Sequence, residues 1–238
     1  MTSSFSETPA MLLTASSKAH GQTLRRKIRL ASGNMLDAID RFWSQPDLPA
    51  RYPELLFQIH CVVRASVPVM EAARRRAEEL SPSDPVAAGM AEYLAHHIPE
   101  ELGHDDWLLD DMEALGVPRE TTLRRIPSAP AAALVGSVYY WVRHAHPLAW
   151  MGYGAVCEGH PPSDRFLLDV MERTGLPRDG FRTYLKHARL DPHHARELEE
   201  TLDSLPLTAD HLAMIGVVAF QTMHHLTVLF EGITGTPL

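Results

Sequence analysis

Apolar residues recur every three to four positions along most of the chain, and no stretch sustains an alternating pattern. From 17 to 45, the residues Leu24, Ile28, Leu30, Met35, Ile39 and Phe42 mark the inner stripe of a first helix, which the segment SQPDLPARYP stops. A second helix spans about 52–80, and Pro68 is expected to bend it because a mid-helix proline removes a backbone donor. A third starts at SPSDP, where Ser or Asp can cap and Pro85 suits the first turn. It contains Pro99 and ends at EALG, with Gly116 as the stop. VPRETTLRRIP reads as a short helix or turn. A fourth long helix begins near Ala129 and runs through ALVGSVYYWVRHAHPLAWMGYGAVCEG. It is apolar nearly all round, which predicts a central position, with a kink at Pro147. Further helices are predicted over about 163–175, 178–204 and 208–234. Seven or so helices with short connections make an all-α bundle. With no linker or internal repeat, 17–238 reads as one helical-bundle domain behind a flexible segment, 1–16.

Composition narrows the function classes. The 238 residues are 45% hydrophobic, enough for one sizeable core. A net charge of -8 argues against a general nucleic-acid binder, which needs a basic stripe. The basic runs Arg25-Arg26-Lys27 and Arg74-Arg75-Arg76 adjoin acidic stretches and read as solvated helix faces. Cys61 and Cys157 do not make a disulfide framework and are expected to be reduced. The N-terminus lacks the pattern of a signal peptide, and no apolar run approaches the roughly 20 residues of a membrane span. The expected location is the cytoplasm, with no membrane partner.

Histidine is the anomaly: there are 14, several in pairs such as His96-His97, His193-His194 and His224-His225. In the segment HARLDPHHARELEE, His187, Asp191 and His194 fall at i, i+4 and i+7, within about 40° of one another on a helical wheel. They can project into one cavity, whereas His193 points away. In HHIPEELGHDDWLLDD, Glu101 and His104 have the Glu-x-x-His spacing of bundle-type di-iron sites. Glu100 is an alternative first carboxylate, and His97 lies one heptad before His104. Glu158 closes the most apolar helix, where a carboxylate is costly to bury unless it is paired or binds metal. Glu101, His104, Glu158, His187, Asp191 and His194 thus form a candidate set of three carboxylates and three imidazoles, a mixture that suits iron or manganese. Each motif alone also fits a solvated helix; the combination favours metal.

The order Glu101-x-x-His104, Glu158, His187-x-x-x-Asp191-x-x-His194, with the wording EELGHDDWLLDDMEALG, resembles the heme-oxygenase-like di-iron oxidases and oxygenases, also called iron-containing redox enzymes. The resemblance spans about 90–200. It implies a seven-helix bundle of the TenA and PQQ-synthase type, without heme, binding two Fe(II) ions that react with O2. It also implies N-oxygenation of amines, oxidative decarboxylation of fatty acids or C–C cleavage of amino acids. Some members place the first carboxylate seven residues before the histidine, and here that position is His97. The same fold hosts thiamin-degrading enzymes with a cysteine nucleophile, so a metal-free hydrolase using Cys157 is a competing expectation, and an iron-binding or interaction module without turnover is a third.

The segment VYYWVRHAHP offers Tyr139, Tyr140, Trp141, His144 and His146 as pocket lining, with Tyr153 further along. Arg64, one turn from His60, could pair with a substrate carboxylate. His224 or His225 could also face the pocket. The substrate-binding candidates are therefore Arg64, Tyr140, His144 and Tyr153. The expected substrate is a small amine- or carboxylate-bearing metabolite of a specialised biosynthetic pathway, and this polar lining tips the chemistry toward oxidation of an amine over decarboxylation of a fatty acid. An external electron donor and a homodimer complete the expected partners.

Overall fold

The computed structural model describes residues 19–235, so the segment 1–16 lies outside the described residues. Every regular element among the described residues is helical. The α-helices are α1 (His20–Ala31), α2 (Gly33–Trp43), α3 (Leu48–Val63), α4 (Ser66–Leu80), α5 (Pro85–Glu101), α6 (His104–Ala114), α7 (Arg119–Arg124), α8 (Ala129–His144), α9 (Trp150–Cys157), α10 (Asp164–Thr174), α11 (Arg182–Ser204) and α12 (Ala209–Gly235). Short 3-10 turns at Pro147–Ala149 and Arg178–Phe181 lead into α9 and α11.

Twelve segments replace the expected seven because several long helices break at identifiable residues. The 17–45 stretch parts at Ser32-Gly33, two residues that are poor in helix interiors. The 52–80 stretch breaks at Arg64–Ala65 rather than at Pro68, which falls in the first turn of α4. A helical proline ring clashes with the carbonyl four residues earlier, here that of Arg64. The fourth helix is not continuous: His146 is extended (φ -153°, ψ 144°), as a residue before proline prefers, and separates α8 from α9. The third helix breaks at Leu102-Gly103, where Gly103 adopts φ +81°, in the left-handed region that favours glycine. Gly116 (φ +82°) ends α6 as expected. Glu101 and His104 are therefore the last residue of α5 and the first of α6, facing each other across a turn.

The core runs through the whole bundle, with Phe42, Tyr52, Phe57, Leu94, Leu108 and Trp150 fully or almost fully buried. Helix α12 packs along α2, α8 and α9, and α6 lies between α3 and α11. Gly152 makes the α9–α12 contact close: a Cβ there would lie 2.4 Å from the Ile215 carbonyl oxygen. By length and composition alone, Leu48–Leu80 and Ala209–Gly235 are long and apolar enough to cross a membrane, which corrects the expectation that no run approaches a span. Core helices of packed bundles pass the same test.

Two carboxylates, Asp84 half-buried and Asp111 fully buried, set the starts of site-bearing helices. Asp84 caps α5 by accepting from the backbone N–H of Val86 (2.8 Å) and Ala87 (3.1 Å), and its other oxygen meets His146 Nε2 at 3.0 Å. That contact ties the start of α5 to the turn that launches α9. Asp111 is fully buried and accepts from the backbone N–H of Arg182 (3.2 Å) and Thr183 (2.9 Å), pinning the first turn of α11.

Candidate metal centre

Helices α5, α6, α9 and α11 bring two groups of donors together inside the bundle. Glu101, His104 and His187 form one trio, and His97, Glu158 and His194 form the other; within each, one ligand atom per residue lies within 4.8 Å of the others. Ligands of one ion at bonds of about 2.0–2.3 Å stand roughly 3 to 4 Å apart, so modest closure would bring either trio to bonding distance.

The first trio is held on several sides. His104 Nδ1 lies 3.0 Å from Glu101 Oε2. His187 Nδ1 is 2.9 Å from the Thr183 carbonyl, which can only accept, so Nδ1 carries the proton and Nε2 keeps its lone pair. Burial first, and then the neighbouring His104, hold the His187 pKa below its ordinary value despite that carbonyl, so the ring stays neutral. Trp107 stacks on His104 with ring centroids 4.0 Å apart, and Lys186 Nζ sits over the Trp107 face. Burial raises the Glu101 pKa, but His104 and the other imidazoles outweigh it and keep the carboxyl ionised.

The second trio is looser. His97 Nε2 is 3.4 Å from Glu158 Oε1, and the His97 and His194 rings meet edge to face at 4.8 Å. His97 is fully buried, yet neither of its ring nitrogens makes a hydrogen bond. The same holds for the buried atoms His194 Nδ1, Glu158 Oε2 and Asp191 Oδ1. Burial pulls the His97 pKa down, but the Glu158, Glu101 and Glu100 carboxylates together turn the shift upward. Tyr93 stacks on His97 and Trp150 meets its edge.

Glu101 links the trios, with Oε2 toward His104 and Oε1 3.5 Å from His194 Nδ1. Asp191 belongs to neither trio but lies beside both, its carboxyl pushed up to about 8 by burial and by the Glu158 and Glu101 charges. Three carboxylates converge here, and among the described residues no buried Lys or Arg balances them, beside orphaned imidazole nitrogens. A bound cation would satisfy both, and the N/O donor set fits iron.

All six sequence-derived ligand candidates, Glu101, His104, Glu158, His187, Asp191 and His194, are thus brought to one place. His97 was not in that set. Its signal was present in the sequence: His97 and Glu101 are i and i+4, on one face of α5. Glu100 is not the first carboxylate of the His104 trio; its Oε2 lies 3.5 Å from His97 Nδ1 and 3.7 Å from His194 Nε2. His193 is on the outer face, as the wheel predicts.

The trios form the polar end of a cavity of about 220 Å³. Glu101, Glu158, His187 and Asp191 contribute there, Ser66, His160 and Thr183 add further polar groups, and most of the remaining wall is apolar, with Met35, Ile39, Ile59, Val62, Met70 and Phe230. Of the four substrate-binding candidates, only Tyr153 lines this cavity. Tyr140 is 60% exposed, and His144 packs against it on the outer surface. They fail because α8 buries one stripe, Ala131, Leu134, Val135, Val138 and Val142, and the pair Tyr140/His144 sits on the opposite side. Arg64 caps α3 and does not line the cavity, and neither do His60, His224 and His225. Trp141 donates to Gln221 Oε1 at 2.6 Å, and His146 is engaged with Asp84. Cys157 is exposed and lines the cavity; the protein packed around it and the Glu158 charge push its thiol up to about 12, which makes it a poor nucleophile.

Known structures share this architecture. A domain of unknown function with a heme oxygenase-like fold from Shewanella denitrificans superposes with a TM-score of 0.70 at 18% identity, covering 90% of this chain and 88% of that one. A TenA homolog from Pseudomonas syringae pv. tomato gives 0.69 at 16% identity, covering 97% and 99%. A CADD-like protein of unknown function from Nostoc punctiforme gives 0.69 at 18% identity, covering 90% and 95%. These likenesses establish a heme oxygenase-like fold. No curated protein matches the chain by sequence. Residues 54–225 match the model of one family, and with that match spanning most of a chain that carries two histidine–carboxylate trios, the protein belongs to the iron-containing redox enzymes.

Proposed function

We propose that this oxidoreductase binds two Fe(II) ions, one at each trio, and oxidises a small, largely apolar substrate with O2. The observation that carries this reading is the pair of trios, linked through Glu101, at the polar end of a largely apolar cavity. When bound, the two ferrous ions supply electrons for the reduction of O2.

The chain's own residues do the rest. Glu101, His104 and His187 hold one ion, and the Thr183 carbonyl fixes the His187 tautomer so that Nε2 faces inward. His97, Glu158 and His194 hold the other. Asp191, beside both, would supply a further carboxylate to either ion. Trp150, Tyr153 and the aliphatic wall give the cavity a largely apolar surface.

The wall also speaks to the substrate. Tyr140 and His144, part of the segment that favoured an amine, face outward, and among the described residues no Lys or Arg lines the cavity. A substrate carboxylate would therefore be oriented by the metal ions and not by Arg64. This favours an aliphatic acid, the fatty-acid-type reading, over an amine-bearing metabolite. A metal-free hydrolase based on Cys157 has less support, given that thiol's environment. The test is O2 consumption by the iron-loaded protein with saturated fatty acids of graded length and with aliphatic amines. Turnover with acids of matching length, lost in His194→Ala, is expected. Turnover with amines alone, or full activity in the presence of a chelator, would overturn the proposal.

A further inference from the structure

A third group of donors crosses the same two helices one face further out. His96 and Glu100 are i and i+4 on α5; His193 and Glu197 are i and i+4 on α11. Donor atoms of His96, Glu100 and Glu197 lie within 4.8 Å of one another. His96 Nε2 is 3.9 Å from Glu100 Oε1 and 3.7 Å from Glu197 Oε1. His193 Nε2 stands 3.2 Å from the same Glu197 oxygen, while Arg196 donates to His193 Nδ1 at 2.7 Å. Guanidinium is donor only, so the neutral His193 ring carries its proton on Nε2 and directs it at Glu197. His193 is thus a positioning residue for that carboxylate.

Two features separate this cluster from an ordinary solvated helix seam. Glu100 Oε2 and Glu197 Oε2 are buried and make no hydrogen bond, although both residues lie near the surface. Glu100 also spans two environments. Its Oε1 faces His96 in solvent, and its Oε2 faces His97 and His194 of the buried second trio. One carboxylate therefore joins an exposed imidazole to two buried ones.

We propose that His96, Glu100 and Glu197 form a solvent-facing site for a divalent transition-metal ion, and that Glu100 passes the ion inward to His97 and His194. One imidazole and two carboxylates suit Fe(II), Mn(II), Co(II) or Zn(II), and the open side of the site leaves room for water ligands. Transfer exchanges those waters for buried imidazoles, with no change of oxidation state. The surface site stands on its own residues; its role in loading rests on the dinuclear reading above.

The test is anaerobic Co(II) binding to the metal-free full chain, following the visible bands of Co(II) for rate and equilibrium dialysis for stoichiometry. The wild type is expected to bind two tight equivalents and a third, weaker one. Glu197→Gln, which keeps the side-chain shape, and His96→Ala should each lose the third equivalent. Both should fill the two tight sites at least about tenfold more slowly, with the final spectrum of those sites unchanged. A wild type that binds only two equivalents, or a third that survives in both variants, overturns the site. An unchanged filling rate in variants that have lost the third equivalent overturns the loading role. If the dinuclear reading itself fails, the wild type binds one weak equivalent that both variants lose, which leaves the surface site standing without anything to load.

Discussion

The two buried trios use the same chemistry but are held differently. Around Glu101, His104 and His187, partners are in place before any ion arrives: a backbone carbonyl on His187, an indole on His104 and a carboxyl kept ionised by imidazoles. Around His97, Glu158 and His194, four buried nitrogens and oxygens lack hydrogen bonds, against one, His104 Nδ1, in the first trio. Glu158 itself caps α9, a helix of only eight residues. The difference teaches that one site is preorganised and the other depends on the ion to complete it. The first should bind tightly; the second should bind more weakly and leave its carboxylates freer to shift.

The sharpest break of this comparison is His187→Ala. It should weaken the tight equivalent by more than about 100-fold, beyond what loss of a mere supporting contact does, as read by anaerobic iron titration. His97→Ala should weaken the second equivalent by about 10- to 100-fold and leave the first nearly untouched. Equal losses at both sites in His97→Ala would mean the trios are not distinct. Gly152→Ala puts a methyl group against the Ile215 carbonyl, so α9 must move away from α12. It should cost about 1–3 kcal/mol in thermal or chemical unfolding and weaken iron at the Glu158 trio more than at the other. Asp111→Asn leaves one of the two N–H groups at the start of α11 without an acceptor, at about 1–3 kcal/mol. Slower or weaker filling of the His187 trio should accompany it. Tyr140→Ala, on the outer face of α8, should change stability by no more than about 0.5 kcal/mol and leave substrate oxidation unaltered.

The helical class was legible because it rests on short-range periodicity, whereas Glu158 stood out by its apolar surroundings and Glu101-x-x-His104 by a spacing that spans a helix break. His187, Asp191 and His194 share a face of one unbroken helix, and periodicity alone brings them together. The helix breaks were less legible. Pro68 acts through a carbonyl four residues earlier, Pro147 through the residue before it, and Gly103 through a left-handed turn that the Glu-x-x-His spacing conceals. The pocket was misjudged for a related reason. The composition of VYYWVRHAHP does not say which side of α8 meets the bundle, and only the packing of α3, α4 and α12 on it decides that. Asp111 escaped notice because its role, capping a helix some 70 residues later, is purely tertiary.

The central claim is that the bundle holds two unlike iron sites. Anaerobic Fe(II) titration of the metal-free protein, read by equilibrium dialysis in wild type and His97→Ala, tests it most directly. The account predicts two tight equivalents of unequal affinity in the wild type, with only the weaker of the two lost in the variant. A single equivalent in the wild type, or two that survive the loss of His97 unchanged, would contradict it.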